Sequence, residues 1–250
     1  MGWRGCVAGA VVAVALLAVP GAASAGCRPS AAHPYPVVLV HGTFLNKESW
    51  ATLAPRVEAA GYCVFSLDYG TNGTGEIRRS AAELGRFVDQ VLAQTRARKV
   101  AIVGHSQGGM MPRYWMEFLG GAPKVDELIG MAPSNHGTTN PLAGPLAPVC
   151  IACAEQAAGS SFMAELNAGG DRLPGISYTV ISTRYDEVVT PYTSQALSGA
   201  TNVVLQDRCP LDPVEHVTIQ DDPVAAQWVL NALGRRGPAD PSFRPRCLAG

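Results

Sequence analysis

The stretch Lys99-Val100-Ala101-Ile102-Val103-Gly104-His105-Ser106-Gln107-Gly108-Gly109 decides how this chain is interpreted. Its first half is a short β-branched run, which predicts a buried strand over 99–104. The residues that follow carry bulky apolar side chains at helical spacing, which predicts a helix over 107–119. Ser106 therefore lies in a sharp turn between a strand and a helix. Glycines suit both sides of that turn because side chains there would collide with the neighbouring strand and helix.

A Gly-x-Ser-x-Gly pentapeptide at a strand-to-helix turn is typical of a nucleophile elbow. A serine on such an elbow is followed along the chain first by an acid and then by a histidine. Only His136 and His216 follow Ser106. His216 precedes the last amphipathic segment, Val224 to Leu233, where a general base is expected. His136 comes too early to leave room for an acid-bearing strand, so we interpret it as a loop residue near the pocket rim.

The acid of such a triad is expected just past the carboxyl end of a strand, where α/β sheets place functional residues. Asp186 occupies such a position, and its carboxylate would hold the imidazole of the histidine in one tautomer. Glu187 is the neighbouring alternative. Asp171, in a glycine-rich turn, and Asp207, at the end of a later strand, are weaker candidates.

An acyl-transfer site also needs hydrogen-bond donors for the oxyanion. One donor is expected from the backbone N–H of Gln107, the residue after the nucleophile, and the other from a loop after an earlier strand. The apolar run before His41 ends in such a loop, and we assign the second donor to the N–H of Thr43, with its hydroxyl as a further candidate donor. Phe44 is the near alternative. His41 is interpreted as a structural residue of that turn.

Taken together, these motifs resemble the secreted bacterial class 2 lipases and, more distantly, the fungal lipase B of the Candida antarctica type. The resemblance implies a compact α/β-hydrolase fold that acts on carboxylic esters of lipids, with no metal ion and no organic cofactor. The chain departs from the fungal type in one respect, because His41 stands where that type has proline. The motifs that carry the resemblance are His41-Gly42-Thr43, Ser106-Gln107-Gly108-Gly109, Leu142-Ala143-Gly144-Pro145-Leu146, Leu166-Asn167-Ala168-Gly169-Gly170, Asp186-Glu187-Val188-Val189 and His216.

Predicted strands and helices alternate along the chain, which is typical of a mostly parallel central sheet with helices on both faces. No inserted segment is long enough for a large cap domain. We therefore expect one catalytic domain over residues 26–250. The predicted strands are 36–41, 63–68, 99–104, 127–132, 176–182 and 202–207, and the predicted helices are 49–60, 76–96, 107–119 and 222–233, with a long loop and helix after the fourth strand.

The first 25 residues have the pattern of a secretory signal peptide. A short positive region precedes the apolar run Val7 to Val19, and Ala23-Ser24-Ala25 is a small-residue cleavage site. Cleavage after Ala25 is expected to release a secreted protein. The apolar run is too short for an ordinary transmembrane span, and no later segment qualifies.

Six cysteines remain after such a cleavage, and in an exported protein they predict three disulfides. Sequence alone allows fifteen pairings. The likeness to the fungal lipase implies the pairs Cys27–Cys63 and Cys209–Cys247, which leaves Cys150 with Cys153. A redox or metal role for the Cys150-x-x-Cys153 pair is disfavoured because the chain has no second ligand pair.

Composition limits the partners of the protein. The formal net charge is −1 and the arginines are scattered, which argues against a nucleic-acid surface. We expect a monomer that binds a lipid ester and touches a lipid interface transiently. The apolar segment Pro133 to Ala158 has two interpretations, a loop and helix packed on the core or an apolar wall over Ser106. The segment Tyr69 to Gly75 is expected to form a rim on the alcohol side.

The sequence thus predicts a serine ester hydrolase with a fairly open site that also accepts short esters. Two alternatives share its motifs. One is an extracellular polyesterase or acyltransferase with the same triad. The other is an inactive α/β-hydrolase that serves as a binding module, although such proteins usually lack a triad member and this chain has all three.

Overall fold

A computed structural model describes residues 1–2 and 27–247. The expected signal peptide and its cleavage site therefore lie outside the described residues, apart from the first two. The strands are β1 (Val37–Val40), β2 (Val64–Leu67), β3 (Val100–His105), β4 (Val125–Met131), β5 (Ser177–Ser182) and β6 (Thr201–Val204), and the α-helices are α1 (Leu53–Ala59), the single turn α2 (Gly70–Gly73), α3 (Ile77–Thr95), α4 (Gln107–Phe118), α5 (Ile151–Glu155), α6 (Ser161–Asn167) and α7 (Pro223–Leu233).

The six strands form one sheet in the order β2-β1-β3-β4-β5-β6, and each neighbouring pair is parallel. Because all carboxyl ends of the strands meet at one edge, the loops after β1, β3 and β5 converge there. The predicted α/β-hydrolase architecture is confirmed. Between β4 and β5, where a cap would be inserted, the described chain holds only the short helices α5 and α6.

Alternation along the strands sends apolar side chains to both faces of the sheet. In β1, Val38 and Val40 belong to a core cluster that includes the buried residues of α3 and α4. Val37 and Leu39 belong to a second cluster, which contains the buried residues of α1 and α7. The sheet is therefore covered by helices on both faces, and the parallel strands are buried throughout.

Two predicted elements have bounds that differ from the structure by more than two residues. The helix expected over 49–60 is split into a 3₁₀ turn, Lys47–Trp50, and α1. Pro55 explains the break, because it has no N–H to donate and is tolerated only in the first turn of a helix. The strand expected over 202–207 ends at Val204, where its pairing partner β5 also ends, and continues as a 3₁₀ turn.

The structure joins the six described cysteines in the pairs implied by the resemblance, Cys27–Cys63, Cys150–Cys153 and Cys209–Cys247. The first and third close loops of 36 and 38 residues. Constraint of the unfolded chain by loops of this length contributes about 4 kcal/mol each in the loop-entropy treatment. The second pair closes a separation of only 3 residues, so its entropic contribution is smaller.

Glu127 is a buried carboxylic acid near the start of β4, far from the carboxyl edge of the sheet. The residue is 6% exposed, and its Oε2 has no hydrogen-bond partner among the described residues. Burial, with a smaller effect of Asp126, raises the pKa of Glu127 to about 8. The folded protein thus keeps a proton on this carboxyl at pH values where the unfolded chain has lost it.

This raised pKa predicts a loss of stability as the pH rises from about 4.5 to about 8. The variant Glu127→Gln carries no charge in either state and should escape that loss. At pH 8 we expect it to be more stable than the wild type by on the order of 2 kcal/mol, which is about 4–8 °C in Tm. Differential scanning fluorimetry at pH 4 and pH 8 measures this. Equal melting temperatures at pH 8 would contradict the prediction.

Candidate active site

Ser106 lies between the end of β3 and the start of α4, with φ 54° and ψ −123°. This positive φ strains a non-glycine residue and projects its side chain out of the turn. The glycines around it are required by close contacts. A Cβ on Gly104 would overlap the backbone of Gly108, and a Cβ on Gly108 would overlap the carbonyl oxygen of Val40. The elbow expected from the sequence therefore has its steric basis in the neighbouring strand and helix.

Ser106, His216 and Asp186 form a continuous chain of hydrogen bonds at the carboxyl edge of the sheet. The Oγ of Ser106 is 3.0 Å from Nε2 of His216. The Nδ1 of the same imidazole is 2.7 Å from Oδ2 of Asp186. All three residues are buried. The hydroxyl can donate to the unprotonated Nε2 while the protonated Nδ1 donates to the carboxylate, which is the arrangement that general-base activation requires.

The two adjacent acids of the loop after β5 have different surroundings. The Oδ1 of Asp186 accepts hydrogen bonds from the backbone N–H groups of Val188 and Val189, at 2.9 and 2.7 Å. Glu187 is exposed on the outside of the same loop. Its side chain makes no hydrogen bond to His216 among the described residues. Asp186 is thus the carboxylate that contacts the imidazole.

The weaker acid candidates lie in other contacts. Asp171 accepts a hydrogen bond from Nε2 of His136 at 2.9 Å, which ties two surface loops together. Asp207 forms an exposed ion pair with Arg184. His136 is also bound to the carbonyl oxygen of Ser194, at 2.9 Å. These residues have structural contacts, and none of them touches Ser106.

His105 supports the loop that carries His216, a role that sequence reasoning missed. Its Nε2 lies 2.8 Å from the carbonyl oxygen of His216, to which it donates. Burial, with a further effect of the nearby His216, lowers the pKa of His105 to about 3. His105 therefore stays neutral at ordinary pH and fixes the backbone of the His216 loop without adding a charge beside the imidazole.

The expected oxyanion donors, the backbone N–H groups of Thr43 and Gln107, have no acceptor among the residues that the structure describes. The N–H of Phe44 is already used, because it donates to the carbonyl oxygen of Asn72 at 2.7 Å. This contact removes Phe44 as the alternative donor. The loop that carries Thr43 is backed by Gly73, where a Cβ would approach the Cα of Thr43 to 3.2 Å.

A side-chain network links the two donor residues. The hydroxyl of Thr43 donates to Oε1 of Gln107 at 2.6 Å, and Nε2 of Gln156 donates to the Thr43 hydroxyl oxygen at 3.0 Å. Ser134 in turn donates to Oε1 of Gln156 at 2.7 Å. Sequence reasoning missed Gln156, whose only local signal is a polar residue in an alanine-rich segment.

His41 has the structural role expected of it. Its ring stacks on Tyr69 with centroids 4.2 Å apart, and its Nδ1 lies 2.8 Å from the carbonyl oxygen of Gly42. Burial lowers the pKa of His41. The hydroxyl of Tyr69 donates to the carbonyl oxygen of His41 at 2.7 Å. The turn that presents Thr43 is therefore held by hydrogen bonds to the carbonyl oxygens of His41 and Gly42.

Ser106 opens into a cavity of about 370 Å³ with mostly apolar walls. The segment Pro133 to Ala158 supplies much of the wall, including Leu142, Ala143 and Leu146. The same segment also packs on the core through Cys150 and Ala152, so both of its interpretations are realised in part. The segment Tyr69 to Gly75 does not line this cavity, contrary to expectation. It supports the Thr43 loop from behind instead.

Two further features concern cofactors and membranes. Within residues 1–2 and 27–247, no three or more His, Cys, Asp or Glu side chains are grouped so that they would hold a metal ion. None of the helices in this part of the chain is both long enough and apolar enough to cross a membrane.

Comparison with known families gives one match that covers most of the chain. The family described as lipase (class 2) matches residues 34–229. A triacylglycerol lipase of Burkholderia plantarii is 37% identical over 135 residues, which are 44% of this chain and 36% of that protein. A triacylglycerol lipase of Pseudarthrobacter phenanthrenivorans is 40% identical over 97 residues, 34% of this chain and 28% of that protein. The alignments thus span about a third of the length of these relatives.

Solved structures show the same fold. Aspergillus fumigatus lipase B superimposes with a TM-score of 0.74 at 23% identity, over 86% of this chain and 57% of that one. The mature form of the Bacillus licheniformis lipase BlEst2 gives a TM-score of 0.65 at 18% identity, over 82% of this chain and 94% of that one. At these identities the likeness concerns the architecture of the chain.

Proposed function

Because the chain belongs to the class 2 lipase family, we propose that it is a secreted serine hydrolase that cleaves carboxylic esters of lipids. The observation that carries the proposal is the chain of hydrogen bonds from Ser106 through His216 to Asp186, which opens into an apolar cavity. A nucleophile beside an apolar wall suits an ester with a fatty acyl chain. The relatives named above as triacylglycerol lipases support the same substrate class.

The first half of the reaction forms an acyl-enzyme. Oγ of Ser106 attacks the carbonyl carbon of the ester, and its proton passes to Nε2 of His216. Asp186 stabilises the imidazolium through Nδ1. The negative oxygen of the tetrahedral intermediate is held by the N–H groups of Thr43 and Gln107. The bond to the alcohol oxygen then breaks, and the leaving alcohol takes the proton from His216.

Water completes the cycle through the same groups. His216 removes a proton from water, the hydroxide oxygen attacks the acyl carbon, and the second tetrahedral intermediate uses the same two N–H donors. Collapse of this intermediate releases the carboxylic acid and returns the proton from His216 to Ser106. All proton transfers therefore pass through Nε2 of one imidazole.

The surroundings of the cavity support contact with a lipid interface. Four of the residues that line it are also exposed at its mouth, and all four are apolar: Phe44, Leu142, Val188 and Val217. Exposed apolar patches of this kind mark interaction sites. We propose that this rim touches the lipid surface while the enzyme acts as a monomer.

Secretion is supported by the N-terminal sequence pattern and by the three disulfides.

The experiment that tests the proposed function is hydrolysis of p-nitrophenyl esters by the purified protein, with acyl chains from acetate to palmitate. We expect activity on short and long esters, because Ser106 is reached through a cavity with no cap domain over it in the described chain. Activity on long-chain emulsions alone would contradict the open site. Parallel assays with polyester films and with alcohol acceptors separate the polyesterase and acyltransferase alternatives.

The hydroxyl of Thr43 supplies a more specific prediction. In the resting site it donates to Gln107, and we propose that it turns toward the oxyanion when the intermediate forms. Thr43→Val removes this donor and should lower kcat about 10²-fold with little change in KM. Thr43→Ser keeps a hydroxyl and is the matched control, expected within a few-fold of wild type. A valine variant as active as the serine variant would show that only the backbone N–H groups act.

A further inference from the structure

Gln195 lies against the carboxylate of Asp186. Its Nε2 is 2.7 Å from Oδ2 of Asp186, the same oxygen that accepts the hydrogen bond from His216. Gln195 is completely buried, at 0% exposure. The amide therefore donates to the carboxylate from the protein interior, and among the described residues it shares that oxygen with one other side-chain donor, the His216 imidazole.

The other half of this amide is unused. Oε1 of Gln195 has no hydrogen-bond partner among the residues that the structure describes. A buried amide with an unsatisfied oxygen is less favourable for folding than an apolar side chain of similar size. The residue thus fits poorly as a structural element, and its single side-chain hydrogen bond goes to Asp186.

We propose that Gln195 is a positioning residue for the triad, an inference that rests on the proposed function of Asp186. It fixes the orientation of the carboxylate and takes up part of the negative charge on Oδ2. This contact keeps the carboxylate aligned with Nδ1 of His216 while the imidazole gains and loses its proton. Gln195 acts through Asp186 and touches neither the nucleophile nor the cavity.

The backbone of Gln195 is itself held in place. Gln195 ends the 3₁₀ turn Tyr192–Gln195, and its carbonyl oxygen accepts a hydrogen bond from Nδ2 of Asn135 at 2.7 Å. The carbonyl oxygen of Asn135 accepts from Nη1 of Arg113 at 3.0 Å. Arg113 lies in α4, the helix that begins after Ser106. A series of hydrogen bonds through Asn135 and Gln195 therefore connects α4 to the loop that carries Asp186.

The charge on Asp186 is distributed over four donors. Two backbone N–H groups bind Oδ1, and the imidazole and the Gln195 amide bind Oδ2. Loss of the amide donor concentrates charge on Oδ2, which then stabilises the imidazolium more strongly. The acid limb of the kcat/KM profile should therefore move to higher pH. Apart from Asp186, the ionisable groups of the described residues that interact electrostatically with His216 are His105, which is neutral, and the partly exposed Glu215.

The test is Gln195→Met, which keeps the volume and removes the donor. We expect kcat for p-nitrophenyl butyrate to fall about 10- to 100-fold. The acid limb of the kcat/KM profile should move up by about 0.5–1 pH unit. The melting temperature should change little, because the loss of the hydrogen bond to the Asp186 carboxylate is offset by removal of the unsatisfied amide oxygen. A second variant, Gln195→Glu, places a carboxyl group at the same buried point beside Oδ2. Burial and the neighbouring carboxylate should keep it protonated, so it can donate to Oδ2 in place of the amide and should leave the acid limb close to that of the wild type.

Gln206→Met is the matched control. Gln206 is another buried glutamine, and its Nε2 donates to Thr183 and to the carbonyl oxygen of Asp212. Because its hydrogen bonds are structural, its loss should lower the melting temperature without moving the acid limb. If Gln195→Met behaves like this control, or keeps the wild-type profile, the proposal is wrong.

The role of Gln195 and the proposed ester hydrolysis can be tested independently. A wild-type protein that hydrolyses esters through Ser106, with an unchanged profile in Gln195→Met, overturns only the role of Gln195. A proton NMR titration of the His216 imidazole measures its pKa without turnover, so it tests the Gln195 contact even in a protein that shows no ester hydrolysis. An equal His216 pKa in wild type and Gln195→Met overturns the inference in either case.

Discussion

Replacing Ser106 with alanine is expected to lower kcat for p-nitrophenyl butyrate about 10⁶-fold, to the level that binding and the oxyanion donors alone support. The reason is that Oγ of Ser106 forms the acyl-enzyme in the proposed mechanism, and His216 has no other hydroxyl within hydrogen-bond distance in the described structure. KM values have little meaning for such a variant, so single-turnover release of p-nitrophenol at high enzyme concentration is the measurement.

The control for this variant is its folding. Alanine meets the same backbone strain at φ 54° that serine already bears, so the melting temperature and the circular dichroism spectrum should match the wild type. A folded Ser106→Ala protein that keeps more than a hundredth of the wild-type activity would mean that another group is the nucleophile.

The second large effect is expected at Asp186. Asp186→Asn should lower kcat about 10⁴-fold, because the amide can donate to Nδ1 of His216 and so favour the tautomer that protonates Nε2. An imidazole protonated at Nε2 cannot accept the proton of Ser106. The buried position of the side chain adds to the effect, since water cannot replace the lost carboxylate.

Glu187→Gln is the matched control, because it makes the same chemical change one residue further along the same loop. It should keep activity within a few-fold of wild type, since the side chain is exposed and makes no hydrogen bond to His216. The reverse result, with Glu187→Gln inactive and Asp186→Asn active, would assign the acid to Glu187 and contradict the geometry described above.

Part of this molecule was predictable from sequence because the signals are local. The strand, elbow and helix around Ser106 lie within twenty residues, and the glycines beside the serine mark positions where any side chain collides. The alternation of strands and helices predicts a parallel sheet, and a parallel sheet brings the loops of Thr43, Ser106 and Asp186 to one edge. These inferences need no knowledge of distant contacts.

The sequence did not allow the same kind of prediction of which neighbouring acid, Asp186 or Glu187, contacts His216. Neighbouring residues in a loop have the same local signals, and their roles depend on which side chain turns inward. The inward position of Asp186 is set by the N–H groups of Val188 and Val189, which bind its Oδ1. No spacing rule shows where those N–H groups point.

The supporting residues of the site were missed for a related reason. Gln156 reaches Thr43 across 113 positions of the chain, and His105 reaches His216 across 111. Gln195 is only 9 residues from Asp186, but its side chain reaches Asp186 because of a turn whose conformation has no local sequence signal. Such contacts follow from the packed fold rather than from any local pattern.

The most direct test of the central claim is covalent labelling of the wild-type protein by a fluorophosphonate, followed by intact-mass and peptide mass spectrometry. The account predicts one added phosphonyl group per chain, located on Ser106, with labelling that slows sharply in His216→Ala. Labelling of another residue, or labelling at Ser106 that does not depend on His216, would contradict the triad.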